Sequence, residues 1–181
     1  MKKENIRELT GISVMAVVMA VCAWIAFPVI GVQLTMQTMG VFLALRLLGG
    51  KNGTAAIALY ILLGLVGVPV FSFFNAGPGC LLGPTGGYIT GFLAIGALYW
   101  ALEKRLKYRW QKDAALYAGL LICYALGTAW FIYVMGVRGN PCTLGKALGA
   151  CVLPFLIPDA IKLLVCELIV DRVGRAIDIR A

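Results

Sequence analysis

From about Leu144 to Val170 the chain is largely apolar, long enough to cross a bilayer at roughly 20 residues per helical span. Its middle holds Pro158-Asp159-Ala160-Ile161-Lys162. Three residues apart, a carboxylate and an ammonium lie on one face of a helix. At the centre of a membrane helix each costs roughly 2.5–3.5 kcal/mol by insertion scales. Anchoring alone does not explain keeping both. Two readings stand. In one, the pair satisfies itself and fixes helix packing; in the other, a polar ligand completes it.

Composition decides the solvent. Of 181 residues 61% are hydrophobic and 13% charged, with mean hydropathy +0.92. Soluble domains run near 45–50% apolar and about 25% charged. An all-α integral membrane protein is the expectation, with one transmembrane domain over residues 1–181. The net charge of +8 would suit nucleic acid, but its placement points to membrane orientation instead. The chain has no histidine, which excludes histidine metal sites and histidine general bases. It has no G-x-x-x-x-G-K-[ST] loop, since the stretch Gly139 to Gly145-Lys146 has the wrong spacing. No nucleophile–base pair stands out, so if the chain moves a substrate uphill it does not hydrolyse ATP itself.

Six spans are predicted, at about residues 10–27, 34–48, 54–71, 88–102, 114–135 and 146–173. The first follows Lys2, Lys3 and Arg7 as a signal peptide would, but its apolar run is long and no A-x-A site closes it, so it reads as an uncleaved helix. A short uncharged turn, residues 29–32, leads to the second. One side of the membrane then collects Lys2, Lys3, Arg7, Arg46, Lys51, Lys104, Arg105, Lys107, Arg109, Lys112, Arg172, Arg175 and Arg180; the other has Arg138 and Lys146. By the positive-inside rule both termini are cytoplasmic, and the Asn52-Gly53-Thr54 sequon is cytoplasmic and unglycosylated. Cys22, Cys123, Cys151 and Cys166 fall in apolar spans as small hydrophobes. Cys80 and Cys142 fall in outer loops, where a bridge between them stays open.

Several features sharpen the picture. Ala16 and Ala20 form a small-xxx-small pair that lets two helix backbones approach closely. Pro154 and Pro158 remove two donors from the last span and leave the carbonyls of Ala150 and Pro154 without helical partners. A kink beside an ion pair suggests a polar cavity. Glu167 is eight residues past Asp159, about 80° round the helix, and is expected to pair with Arg46 or Arg172. Gln33, Thr35, Gln37 and Thr38 open the second span. Asn75 lies in a Gly/Pro-rich, uncharged loop at residues 72–87, flanked by Phe71, Phe73 and Phe74 and closing on Thr85, Gly86, Gly87 and Tyr88. Such a loop reads either as a packed cap or as a lid over a small, flat, neutral heterocycle.

Taken together these residues resemble a known family. Gly83-Pro84-Thr85-Gly86-Gly87-Tyr88-Ile89-Thr90-Gly91-Phe92 is similar to the GPTGGY-x-x-GF signature of BioY, the biotin-specific S component of energy-coupling-factor (ECF) transporters. Thr35-Met36-Gln37-Thr38-Met39-Gly40-Val41 resembles that family's start of its second helix, and Gly64-Leu65-Val66-Gly67-Val68-Pro69-Val70-Phe71 the end of its third. Pro158-Asp159-Ala160-Ile161-Lys162 resembles its element in the sixth. The motifs run in the right order through most of the chain; the basic loop between the fourth and fifth spans has no distinctive match.

The resemblance implies a six-helix membrane protein that binds biotin from outside with no cofactor of its own. It implies a transmembrane coupling protein and two ATP-binding cassette subunits as partners, with Ala16 and Ala20 matching the A-x-x-x-A element that touches the coupling protein. Biotin's ureido ring has two N–H donors and a carbonyl, and its tail ends in a carboxylate. Asp159 and Asn75 are the expected acceptors, Lys162 the cation for the ureido carbonyl or the tail, and Gln37, Tyr88 and the backbone of Gly86 and Gly87 supporting contacts. The alternatives are an S component for another vitamin, a small membrane enzyme using Asp159 and Lys162 as an acid–base pair, and a structural subunit with no ligand.

Overall fold

A computed structural model of the chain describes residues 3–28 and 33–176. The expected turn at residues 29–32, and Lys2 and Arg180, lie outside these. Helix α1 spans Lys3–Trp24. Two short strands follow, β1 (Ala26–Pro28) and β2 (Gln33–Thr35), paired antiparallel with Ala26 opposite Thr35. The second span thus begins not at residue 34 but with α2, Gln37–Val66. Next come a 3-10 turn at Ser72–Phe74 and the single-turn helix α3, Pro78–Leu81. Helices α4 (Gly86–Glu103), α5 (Arg109–Val137), α6 (Leu144–Cys151) and α7 (Leu153–Ala176) complete the chain. Among the described residues four stretches are long and apolar enough to cross a membrane: Glu4–Trp24, Gln37–Val66, Arg109–Val137 and Leu144–Val173.

Three boundaries differ from expectation, each for a side-chain reason. The loop expected between the second and third spans contracts to one residue, Gly49, with φ 79° and ψ 172° inside α2. The Glu103 carboxylate accepts from the Gly50 N–H at 2.7 Å and caps the arm that starts there. A Cβ on Gly50 would sit 2.5 Å from the Trp100 Cα, so the break and the seat of α4 depend on each other. Helix α5 starts five residues early because the Gln111 side chain accepts from the backbone N–H groups of Lys107 and Tyr108. The last span is not one kinked helix. It breaks at Val152 (φ −124°, ψ −58°), and Pro154 sits in the first turn of α7, where no helical donor is needed.

Helix α1 packs along α2, and α4 lies between α2 and α5; α7 closes on α2. Ala16 and Ala20 are 0% and 4% exposed, on the α1 stripe with Met19 and Ala23. Gly40 faces that stripe, and a Cβ there would come within 3.1 Å of the Met19 Cα. The small pair therefore serves packing inside the chain. The contact with a coupling protein expected of Ala16 and Ala20 is not open to a neighbour here, because the outward stripe of α1 is Val14, Val17, Val21 and Trp24. Cys80 and Cys142 are free thiols, as are the other four cysteines.

At one end of the bundle the Arg46 guanidinium makes a two-pronged hydrogen bond to the Glu167 carboxylate. Asp113 lies 3.6 Å from it, and Arg109 pairs with Asp171 at 2.5 Å. Glu167 thus takes Arg46, one of its two expected partners, and ties α7 to α2.

Candidate functional site

At the end of the bundle opposite that cluster lies a cavity of about 360 Å³. Residues of α2, α4, α5 and α7 wall it, together with the loop from Phe71 to Thr85. That volume falls in the range of small-molecule sites, roughly 300–1,000 Å³.

Asp159 and Lys162 line this cavity and are nevertheless 2% and 5% exposed. One turn of α7 brings them together, with Lys162 Nζ 2.5 Å from Asp159 Oδ1. The ammonium also donates to the Thr35 carbonyl at 2.6 Å and to Thr38 Oγ1 at 3.3 Å. All three of its hydrogens are engaged. Thr38 in turn donates to Asp159 Oδ1 at 2.8 Å, and the Tyr124 hydroxyl donates to Oδ2. The threonines come from the β2–α2 corner, where the ribbon turns Thr35 and Thr38 toward α7. A buried pair offsets its desolvation only when further hydrogen bonds satisfy it, and these groups supply them. Asp159 Oδ2 keeps acceptor capacity beyond the Tyr124 bond.

Gln37 stands beside the pair. Its amide donates to the Tyr60 hydroxyl at 2.6 Å, and its carbonyl accepts from Thr35 at 3.1 Å and Ser72 at 3.3 Å. One amide hydrogen is left over. Asn75 donates to the Ser72 carbonyl at 2.9 Å, which turns its side chain along the cavity wall. The Tyr88 hydroxyl shares a hydrogen bond of 2.9 Å with Thr128. Asp159, Lys162, Asn75, Gln37 and Tyr88 therefore all line one cavity.

Gly86 and Gly87 do not line it. A Cβ on Gly86 would fall 1.7 Å from the Leu81 carbonyl oxygen, and one on Gly87 would fall 2.3 Å from the Trp130 Cβ. Here the glycines let α4 start directly beneath α3 and against α5, so the backbone contact expected of them is replaced by a packing role. Trp130 also donates to the Gly83 carbonyl at 2.9 Å, which ties the loop to α5.

The loop itself is held closely. The Gly77 N–H donates to the Gly64 carbonyl at 2.7 Å, and the Phe71 ring fills the space that a side chain at Gly64 would need. Phe73 and Phe74 both have φ 57°, a left-handed conformation that is uncommon away from glycine. The Trp24 ring stacks on Phe74 at 4.9 Å and donates to the Pro69 carbonyl at 3.0 Å. The segment therefore forms a fixed wall carrying Ser72 and Asn75.

Tyr124 was not among the expected site residues, nor was Arg138, which also lines the cavity. Leu120, Tyr124 and Thr128 recur every four residues along α5, and that stripe of two hydroxyls was the available signal. Among the described residues no three His, Cys, Asp or Glu side chains gather as a metal site.

Comparison with known proteins agrees with this architecture. The BioY family profile matches residues 1–179. The biotin transporter BioY of Thermotoga maritima is 40% identical over 172 residues, covering 93% of this chain and 96% of that protein. The probable biotin transporter BioY of Pyrococcus horikoshii is 34% identical over 166 residues, 92% and 95% of the two chains. In three dimensions the chain is similar to the crystal structure of the S-component for biotin from an ECF-type ABC transporter. The TM-score is 0.83 at 26% identity, over 97% of this chain and 95% of that one. With its buried Asp159–Lys162 pair and the loop that walls it, the chain belongs to the BioY family.

Proposed function

We propose that this chain is a biotin-binding S component of an ECF-type vitamin transporter, and that biotin occupies the cavity over Asp159 and Lys162. The observation that carries this reading is the placement of the buried pair in the wall of a cavity instead of a sealed helix contact. Biotin's ureido ring offers two N–H donors, which suit the spare acceptor on Asp159 Oδ2 and the Asn75 side-chain carbonyl; the spare Gln37 amide hydrogen suits its carbonyl oxygen. Tyr88, Phe71, Phe92 and Phe155 supply the apolar walls a ring needs. With its three hydrogens engaged, Lys162 serves by pairing with Asp159 and holding its carboxylate in place.

On this reading the chain is one membrane domain with six spans. These are α1, the two arms of α2 on either side of Gly49, α4, α5, and the α6–α7 pair. Both termini are cytoplasmic, in the plasma membrane, and the cavity faces outward, since the basic residues gather at the opposite end. ATP hydrolysis and the coupling protein belong to partner chains, and the chain itself is not an enzyme. Support comes from the named relatives and from the S-component likeness.

Equilibrium binding of labelled biotin to the purified chain tests this. Saturable binding that other vitamins do not displace is the expected result. Chemical change of the bound molecule would favour the enzyme alternative, and absence of binding would overturn the proposal.

A further inference from the structure

Two cations line the cavity, Lys162 and Arg138, and their situations differ. Lys162 is buried, its charge is offset by Asp159 and its hydrogens are engaged. Arg138 is exposed, and among the described residues its guanidinium has no hydrogen bond or ion pair. Its backbone is nonetheless fixed. Arg138 caps α5, with the Asn140 N–H donating to the Met135 carbonyl at 3.0 Å and the Gly139 N–H to the Gly136 carbonyl at 3.1 Å. Gly139, at φ 78°, supplies the left-handed residue this ending requires. A long cationic side chain is thus held at the cavity wall without a protein partner.

We infer that Arg138 takes the carboxylate of the ligand's tail and so sets both the direction in which the ligand enters and the preference for an acid over a neutral analogue. This rests on the biotin reading of the cavity. An anionic tail directed at the floor would meet the Asp159 carboxylate beside an ammonium already neutralised by it, an unfavourable juxtaposition in a dry site. The uncompensated positive charge on the cavity is at Arg138. A guanidinium presents a planar fork of donors that matches a carboxylate at two points. The competing account is a cation that merely complements the dipole at the C-terminus of α5.

The test compares biotin with its neutral carboxamide on purified wild type, Arg138→Gln and Arg138→Lys. Because Arg138 is exposed, neither substitution disturbs the core. Wild type is expected to prefer the acid by about tenfold or more, the effect of one charge-assisted contact. Arg138→Gln is expected to bind both compounds as wild type binds the amide, and Arg138→Lys to keep part of the preference. An acid preference that survives in Arg138→Gln overturns the inference and leaves the biotin reading standing. So does a wild type that treats acid and amide alike, or a variant that loses only thermal stability. Wild type that binds neither compound overturns both.

Discussion

Separating the two roles of the Asp159–Lys162 pair takes three variants: Asp159→Asn, Lys162→Met, and the two combined. Each single change strands a charge. In Lys162→Met, Asp159 keeps only the hydroxyls of Thr38 and Tyr124; in Asp159→Asn, the ammonium keeps only the Thr35 carbonyl and Thr38. Breaking one half of a buried pair costs about 3–5 kcal/mol, because the remainder stays buried. The double variant strands no charge and is expected to recover most of that stability, short of about 1–3 kcal/mol for the Thr35 carbonyl left without its donor. Biotin binding should not recover with it. If the carboxylate holds a ureido N–H, its loss removes a charged hydrogen bond of about 1.5–3 kcal/mol, or roughly 10- to 150-fold in affinity. Thermal unfolding in detergent reads the first quantity and equilibrium binding of labelled biotin the second. A stable double variant that binds biotin like wild type would refute the reasoning and return the pair to a purely structural role.

Other substitutions probe the supports around the pair. Tyr124→Phe deletes one donor to Asp159 and is expected to weaken biotin binding by about tenfold or more while the chain stays folded; unchanged affinity would remove Tyr124 from the site. Gly86→Ala must move the Leu81 backbone, so it should lower the unfolding temperature in the chain purified alone; an unaffected midpoint would contradict the packing role. Ala16→Trp is expected to destabilise the isolated chain through overpacking against α2, by about 1–3 kcal/mol or more. A variant of normal stability that fails only to assemble with partner subunits would restore the surface role first expected of Ala16 and Ala20.

The ionic pair and its neighbours were legible because a charge in an apolar run has few uses, and Asp159 and Lys162 stood out on that ground alone. Gln37 and Tyr88 were legible through motif position, and Asn75 through its place in the uncharged Gly/Pro-rich loop. What stayed hidden depended on partners far along the chain. The stretch Gly49-Gly50-Lys51-Asn52-Gly53 reads locally as a loop, and Glu103, fifty-three residues past Gly50, caps it into a one-residue break. Gly86 and Gly87 stood out as a motif, but only Leu81 and Trp130 in three dimensions show that they make room for packing. Ala16 and Ala20 mark a close helix approach; which helix approaches is a property of Gly40. Tyr124 is one of three tyrosines in α5, singled out only by its four-residue spacing from Thr128, and its pairing with Asp159, thirty-five residues away, shows only in three dimensions.

The central claim is that the space above Asp159 and Lys162 is a seat for biotin. Native mass spectrometry of the chain purified from biotin-fed cells addresses it directly. The account predicts one biotin retained per chain in wild type and none in the combined Asp159→Asn/Lys162→Met variant. A bare wild-type chain, a different small molecule, or biotin kept equally by both proteins would contradict it.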